Sequence, residues 1–391
     1  MARTTTEEFD ATLTPEQRAV IGRAKAFAAQ VVAPSAEDWE ERAQYPIDAM
    51  RAACAEGLAA VEVPSSHGGL GMPFSVRLRV AEEFAKHDFA FGFALINHHN
   101  AMARIADSGS PEAVDRYLGR MMRGEIIGAS ALSEPGAGSD FAEIGCRATR
   151  DGESWVLDGA KRWICSAAVA EVFITYAQTD PGTRGPGIGC FLVDATRAGF
   201  EREAPQRMSG IRAAGVGGFR LQGHRVEPGF ALEGPGVAFK AALRSVNKAR
   251  VYVAAMAAGV IEASLARAVG YGQQRRTFGR PLVEHQGLKW SLAEVATTLE
   301  AMRGLVYRGA AMIDRGEDAQ LAAAMAKKYC GDHTIGAVAR CVQAMGAIGM
   351  TSDAGLPRQM AAAKAVCYAD GTTEIMNERI GAFLGEYAAL R

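Results

Sequence analysis
The stretch Ala131-Leu132-Ser133-Glu134-Pro135-Gly136-Ala137-Gly138-Ser139-Asp140 gathers residue types that hold a polar ligand by backbone and hydroxyl. Its glycine and proline content argues against a helix, and the run leading into it, Ile126 to Ala131, reads as a strand. Gly136 and Gly138 let the main chain close on a ligand with no Cβ in the way, while Ser133 and Ser139 supply hydroxyls. A solvated turn has the same composition, so the loop alone implies binding without identifying what is bound. Metal chemistry finds no support. The seven histidines form no H-E-x-x-H or comparable spacing, and adjacent His98 and His99 point in different directions on a helix. The seven cysteines are odd in number and show no C-x-x-C pair, so free thiols in a reducing cytosol are expected.

The elements that must position this loop separate by period into three regions: 1–124, 125–239 and 240–391. The first reads as helical. Thr14-Pro15-Glu16-Gln17 is a helix start with an N-cap Thr, Pro at the first position and Gln closing a capping box. Ser110-Pro111-Glu112 repeats that logic, and Leu78, Ala81, Phe84 and Ala85 mark one apolar face. The second region turns rich in glycine and proline, with short β-rich runs at Trp155 to Leu157, Val172 to Ala177 and Cys190 to Val193. Asp158-Gly159 is a hairpin signal. In the third, Val251, Ala254, Ala255, Ala258, Ile261 and Leu265 form a helical stripe. Long Ala-rich helices follow, broken at Arg275 to Pro281, Arg315-Gly316, Gly346 to Pro357 and Asp370-Gly371. The order predicts an α+β fold of N-terminal helices, a middle β domain and a C-terminal bundle.

Bulk properties admit this and exclude some partners. Hydrophobic residues make up 49% and charged residues 22% of the 391, a globular composition with ample core. The formal net charge of -1 gives no basic field to recruit nucleic acid or an anionic membrane. The segment from Met1 to Asp10 carries Glu7, Glu8 and Asp10 and no apolar h-region, which predicts a cytoplasmic protein. Val251 to Ile261, the most apolar run, is closed off by Arg250 and Glu262 and is too short to span a bilayer.

The Ala131–Asp140 loop resembles the signature loop of the FAD-dependent acyl-CoA dehydrogenase family, and the three-region layout extends the resemblance over nearly the whole chain. Gly159-Ala160-Lys161-Arg162-Trp163-Ile164-Cys165-Ser166 resembles that family's second flavin motif, with Cys165 where Thr is usual. A thiol is a weak donor, so a weaker side-chain hydrogen bond to the flavin edge is expected. Arg275-Arg276-Thr277-Phe278-Gly279-Arg280-Pro281, with Glu284-His285-Gln286, resembles the third motif, which reaches the FAD of a neighbouring subunit. Gln343-Ala344-Met345-Gly346-Ala347 is similar to the adenine-side Q-x-x-G-G, with Ala347 in place of the second Gly.

The resemblance implies roles residue by residue. Ala131, Leu132, Ser133, Gly138, Trp163, Ile164 and Cys165 hold the flavin. Arg275, Phe278, Gln286, Gln343, Gly346, Thr372 and Glu374 hold the remainder of FAD, and Ser139, Asn247, Arg250 and Gly371 line an acyl-CoA. It also implies electron-transferring flavoprotein as electron acceptor and a homotetramer built on the C-terminal bundles. Most members place a general-base Glu in Y-E-G-T; here Tyr368-Ala369-Asp370-Gly371-Thr372 puts Asp370 there. A minority use a Glu just before the Arg of the first long C-terminal helix, and that place is Ala249. Asp370 is therefore the expected base for α,β-dehydrogenation of an acyl thioester. Two alternatives stand beside this. Nitroalkane oxidase uses an Asp at this place but follows it with Gly-Gly-Asn, unlike Gly371-Thr372-Thr373. A non-catalytic FAD-binding subunit of a heteromeric relative has no need of an acid at Asp370.

Overall fold
The computed structural model describes residues 3–385. The N-terminal part consists of α1 (Thr5–Ala11), α2 (Pro15–Phe27), α3 (Ala36–Arg42), α4 (Ile47–Ala55), α5 (Phe74–Ala85), α6 (Phe89–Ser108) and the short α7 (Pro111–Ala113) and α8 (Gly119–Met122). The capping box at Thr14 forms as its spacing predicts: the hydroxyl accepts from Gln17 N–H at 3.3 Å, and the Gln17 side chain accepts from Thr14 N–H at 3.0 Å. Ser110 caps α7 in the same manner, accepting from Ala113 N–H at 3.1 Å.

The middle part is one sheet of β1 (Gly128–Ala131), β2 (Arg147–Asp151), β3 (Ser154–Ile164), β4 (Val172–Gln178), β5 (Ile188–Asp194), β6 (Phe200–Arg202), β7 (Gly217–Val226) and β8 (Ala231–Glu233). Its order is β6-β7-β3-β2-β4-β5-β8, and β1 runs parallel to β4. Every residue of β4 and β5 is buried, so the centre of the sheet is core on both faces. The hairpin expected at Asp158-Gly159 is not there. Both residues lie inside β3, where the register against β7 shifts between Leu157 and Gly159. Gly159 has φ +151, and a Cβ on it would stand 2.6 Å from Cys146 Cα, so this glycine permits a bulge against a close backbone. The turn itself is at Gly152, φ +61, between β2 and β3.

The C-terminal part consists of α9 (Ala238–Gln274), a hairpin of β9 (Arg276–Thr277) and β10 (Arg280–Pro281), then α10 (Gln286–Asp314), α11 (Gln320–Met345), α12 (Leu356–Ala365) and α13 (Thr373–Gly381). α9 is long and apolar enough by length and composition to cross a membrane, yet its central residues, Val251 to Ile261, are buried in this fold. All twelve residues of α5 are buried, charged ones included. Glu82 at its centre is held by Arg79 at 2.8 Å, Arg303 at 2.8 Å and the Tyr307 hydroxyl at 2.7 Å, which clamps α5 to α10. Burial alone drives its carboxyl up, and the two guanidiniums outweigh it and hold the pKa at about 2.

Candidate active site
Asp370 lies in the connection between α12 and α13, and its backbone is left-handed, φ +55. That conformation is uncommon outside glycine, although Asp and Asn are enriched in it. Three elements hold it. Arg250 of α9 donates from Nε to the Asp370 carbonyl at 3.1 Å and from Nη1 to Asn247 Oδ1 at 2.8 Å. Lys327 of α11 donates from Nζ to the Gly371 carbonyl. Thr372 caps α13, its hydroxyl accepting from Ile375 N–H at 3.3 Å. Gly371, φ +105, has a backbone conformation that side chains rarely adopt, and a Cβ there would stand 3.1 Å from Met376 Cε. Asn247, Arg250, Asp370, Gly371 and Thr372 are thus gathered at one point.

The Asp370 carboxylate is not spent on this scaffold: its Oδ2 is buried without a hydrogen-bond partner. Desolvation raises its pKa to about 6, against the opposing charges of Lys327, Arg250 and Arg77. Burial likewise lowers Lys327 to about 8. A carboxylate with a free oxygen and a pKa near neutrality is a proton acceptor in waiting.

The Ala131–Asp140 loop and the end of β3 are drawn together by buried polar contacts. Ala131 ends β1 opposite Thr175 of β4, both buried. Arg162 N–H donates to the Ser133 carbonyl at 3.0 Å. Lys161, fully buried, donates to the Leu132 carbonyl at 3.1 Å and to Glu134 Oε1 at 2.7 Å. Glu134 in turn accepts from the N–H groups of Gly145 and Cys146 at 2.6 and 3.1 Å. Asn97 of α6 closes the arrangement, donating to the Cys165 carbonyl at 2.7 Å and accepting from Ser130 N–H at 3.3 Å. Trp163 sits at φ +64 with its side chain 53% exposed, while Ile164 and Cys165 are buried. The Cys165 thiol lies 3.5 Å from the Ala214 carbonyl and 3.8 Å from the Ser166 hydroxyl. Burial pushes that thiol up to about 12. Gly136, Gly138 and Ser139 are exposed, with nothing within 4 Å of a Cβ built on either glycine.

The remaining predicted residues lie on other elements, Glu374 excepted. Arg275, Phe278 and Gln286 lie on and beside the β9–β10 hairpin, Gln343 and Gly346 are at the exposed end of α11, and Glu374 is exposed in the first turn of α13, which Thr372 caps. Phe278 is 97% exposed at φ +48, beside Gly279 at φ +79, the pair of positive angles that a tight two-residue hairpin demands. Among the described residues, no side-chain hydrogen bond joins this group to the Asp370 or Trp163 clusters.

The donor chemistry fits FAD. An exposed indole beside the Leu132–Ser133 main chain suits a flat ring with a polar edge. The Arg275 guanidinium suits a diphosphate, for which its planar fork offers paired donors.

Comparison with known proteins agrees with this geometry. Three family models match in chain order: the N-terminal domain of acyl-CoA dehydrogenase at residues 14–125, the middle domain at 129–223 and the C-terminal domain at 238–385. The chain is 31% identical to an acyl-CoA dehydrogenase of Bacillus subtilis (strain 168), covering 95% of this chain and 98% of that one. It is similar to butyryl-CoA dehydrogenase from Megasphaera elsdenii, with a TM-score of 0.91 at 27% identity, over 97% and 99% of the two chains. It is also similar to a chain in a solved structure of the electron transferring flavoprotein of Acidaminococcus fermentans, with a TM-score of 0.91 at 29% identity over 95% and 98%. The chain belongs to the acyl-CoA dehydrogenase family. It is, by that membership, an oxidoreductase and a flavoprotein of the FAD-dependent class.

Three participants escape a reading of the sequence. Lys327 follows the Ala-rich run Ala322–Ala326 and is buried, while adjacent Lys328 is only partly so; an apolar stripe leading into a lysine was the available signal. The Lys161–Glu134 pair and Asn97 are separated from their partners by 27 and 33 or more residues, and only the fold brings them together.

Proposed function
We propose that this protein catalyses α,β-dehydrogenation of an acyl-CoA thioester, with Asp370 as the general base. The observation that carries the reading is the carboxylate itself: half-buried, one oxygen without a partner, its pKa raised to about 6, on a turn that Arg250 and Lys327 grip through backbone carbonyls. An α-proton of a thioester is weakly acidic, and a base that is ionised at neutral pH yet poorly solvated is matched to it. Because the grip falls on carbonyls, the carboxylate and the backbone N–H at Asp370 are left for substrate. That N–H, aimed at the thioester carbonyl, stabilises charge as it develops on oxygen. FAD would be held by the residues of the two flavin motifs and would supply the acceptor for the hydride from the β-carbon. Trp163 would offer its exposed indole to the ring, and the Lys161–Glu134 pair keeps the binding loop in place.

Electron-transferring flavoprotein is the proposed electron acceptor, and a cytoplasmic homotetramer the proposed assembly. Support for sharing the cofactor between subunits comes from Arg275, Phe278, Gln286, Gln343 and Gly346, which are exposed and lie on other elements than the Asp370 turn.

The test is anaerobic titration of the purified flavoprotein with butyryl-, isobutyryl-, octanoyl- and cyclohexanecarboxyl-CoA, following flavin absorbance. Bleaching by at least one thioester is the expected result. Bleaching by nitroethane alone identifies a nitroalkane oxidase instead, and no bleaching by any compound a non-catalytic subunit.

A further inference from the structure
Between α5, α6 and α9, the helix that carries Arg250, lies a polar cluster that the reaction as proposed does not use. Arg77 of α5 is 3% exposed; its Nη1 donates to Glu62 at 2.6 Å and its Nη2 to Asn100 Oδ1, while its Nε is buried without a partner. Its guanidinium lies over the Tyr252 ring, 5.0 Å from the centroid. Tyr252, also 3% exposed, accepts from Asn100 Nδ2 at 3.0 Å, and no acceptor for its own hydroxyl proton is present among the described residues. His99, 1% exposed, has both ring nitrogens buried and unbonded, its Nε2 3.6 Å from the nearest Glu62 oxygen. Burial and the charges of Arg77 and Lys248 keep that imidazole neutral.

Buried donors without acceptors are rare in folded proteins, because each forfeits its hydrogen bonds to water. The location of this cluster points to a ligand. Asn97 and Asn100 share one face of α6; the first holds the Cys165 end of the flavin motif and the second holds Arg77 and Tyr252. Tyr252 lies on α9 just past Arg250, which grips the Asp370 turn. The open side is at Glu62, Asn100 and Lys248, all partly exposed. An ordinary hydrocarbon acyl chain entering here would bury these donors permanently unsatisfied.

We propose that the acyl group of the substrate carries an oxygen acceptor (hydroxyl, oxo or carboxylate) beyond the reacting carbons, and that Arg77 Nε and the Tyr252 hydroxyl donate to it. The inference rests on the dehydrogenase reading above and narrows it to oxygenated acyl-CoAs. Arg77 and Tyr252 are selectivity residues; neither exchanges a proton with substrate.

The experiment compares flavin reduction by matched thioesters in the whole FAD-loaded enzyme: 4-hydroxybutyryl- against butyryl-CoA, 4-hydroxycyclohexanecarboxyl- against cyclohexanecarboxyl-CoA, and glutaryl- against pentanoyl-CoA. The oxygenated member of at least one pair should be favoured in kcat/KM by about 10- to 100-fold, the effect of leaving buried donors unpaired. The pair showing it distinguishes a hydroxyl from a carboxylate. Tyr252→Phe, which keeps the ring under Arg77, should bring that ratio towards unity. Arg77→Met is the second variant, and Glu62 then retains Lys248 as partner, 2.9 Å away. A merely structural role moves both members of a pair together and leaves their ratio alone. Plain thioesters reduced as well as oxygenated ones, or a ratio unmoved in Tyr252→Phe, overturns the inference while leaving dehydrogenation standing. Reduction by neither member of any pair removes the dehydrogenase reading, and the inference with it.

Discussion
Replacing Asp370 by Asn should slow flavin reduction while making the protein more stable, and the two effects have one cause. Asn is nearly isosteric with Asp and equally at home at φ +55, so the turn held by Arg250 and Lys327 is preserved. What is lost is the proton acceptor, which typically costs about 10²–10⁴-fold in rate. The stability side follows from burial. In the unfolded chain the carboxyl ionises at the ordinary 3.8, and in the folded chain at about 6. Below 3.8 both states hold the proton and the group costs nothing. As pH rises towards 6 the unfolded state releases its proton first, so stability falls, and above 6 the loss levels off. The difference of about 2 pH units sets a ceiling of about 3 kcal/mol at pH 8, against about 1.6 kcal/mol at pH 5. Lacking this ionisation, Asp370→Asn should gain over wild type by amounts that grow across that window.

Two assays check it. Single-turnover reduction with the best thioester reads the rate, and chemical or thermal unfolding of both proteins between pH 5 and 8 reads the stability difference. A stability gap that does not widen with pH shows that the carboxylate is not desolvated as the structure has it. A rate equal to wild type shows that the base is elsewhere. A slow variant with no stability gain keeps the catalytic role but refutes the account of how the pKa is raised.

The same reasoning extends to neighbouring groups. Lys327→Met removes the largest favourable charge on the Asp370 carboxylate, so the acid limb of the pH–rate profile should move upward from about 6; an unmoved limb refutes the coupling. Arg275→Ala should lower the flavin-to-protein ratio on purification, and full retention sinks the diphosphate role. Lys161→Met leaves Glu134 charged and buried with only backbone donors, which should cost about 3–5 kcal/mol and release flavin more readily, measured by urea unfolding and absorbance. Because Asp reaches about 1.5 Å less far than Glu, cyclohexanecarboxyl- or isobutyryl-CoA should outpace butyryl- and octanoyl-CoA, and the reverse order ends that steric argument.

Local chemistry was legible wherever a few adjacent residues decide the outcome. The capping box at Thr14, the N-cap at Ser110, the strand runs leading into β1, β4 and β5, and the helix breaks at Arg275 to Pro281 and at Gly346 to Pro357 all depend on short-range signals. Asp158-Gly159 misled because a turn signal and a bulge use the same glycine freedom, and only the approach of Cys146 from β2's side decides between them. The loop contacts of Lys161, Asn97 and Lys327 were illegible for a different reason. Each side chain satisfies a backbone carbonyl or a carboxylate far away in sequence, and nothing local to a lysine or asparagine announces such a partner.

Asp370 shows how both kinds of constraint meet in one residue. A glutamate in the same left-handed turn would reach farther but would favour that backbone less, since the enrichment at positive φ belongs to Asp and Asn. The turn is gripped from two helices through consecutive carbonyls, at Asp370 and at Gly371, and φ +105 at Gly371 would strain any side chain there. A backbone so determined fixes where the side chain begins, and the length of the side chain then fixes where the proton acceptor ends. The shorter acid is therefore compatible with two causes, a turn that prefers it and a substrate that comes closer. The donors proposed above on Arg77 and Tyr252 favour the second, because an acyl group drawn towards them gains contacts that a plain chain lacks.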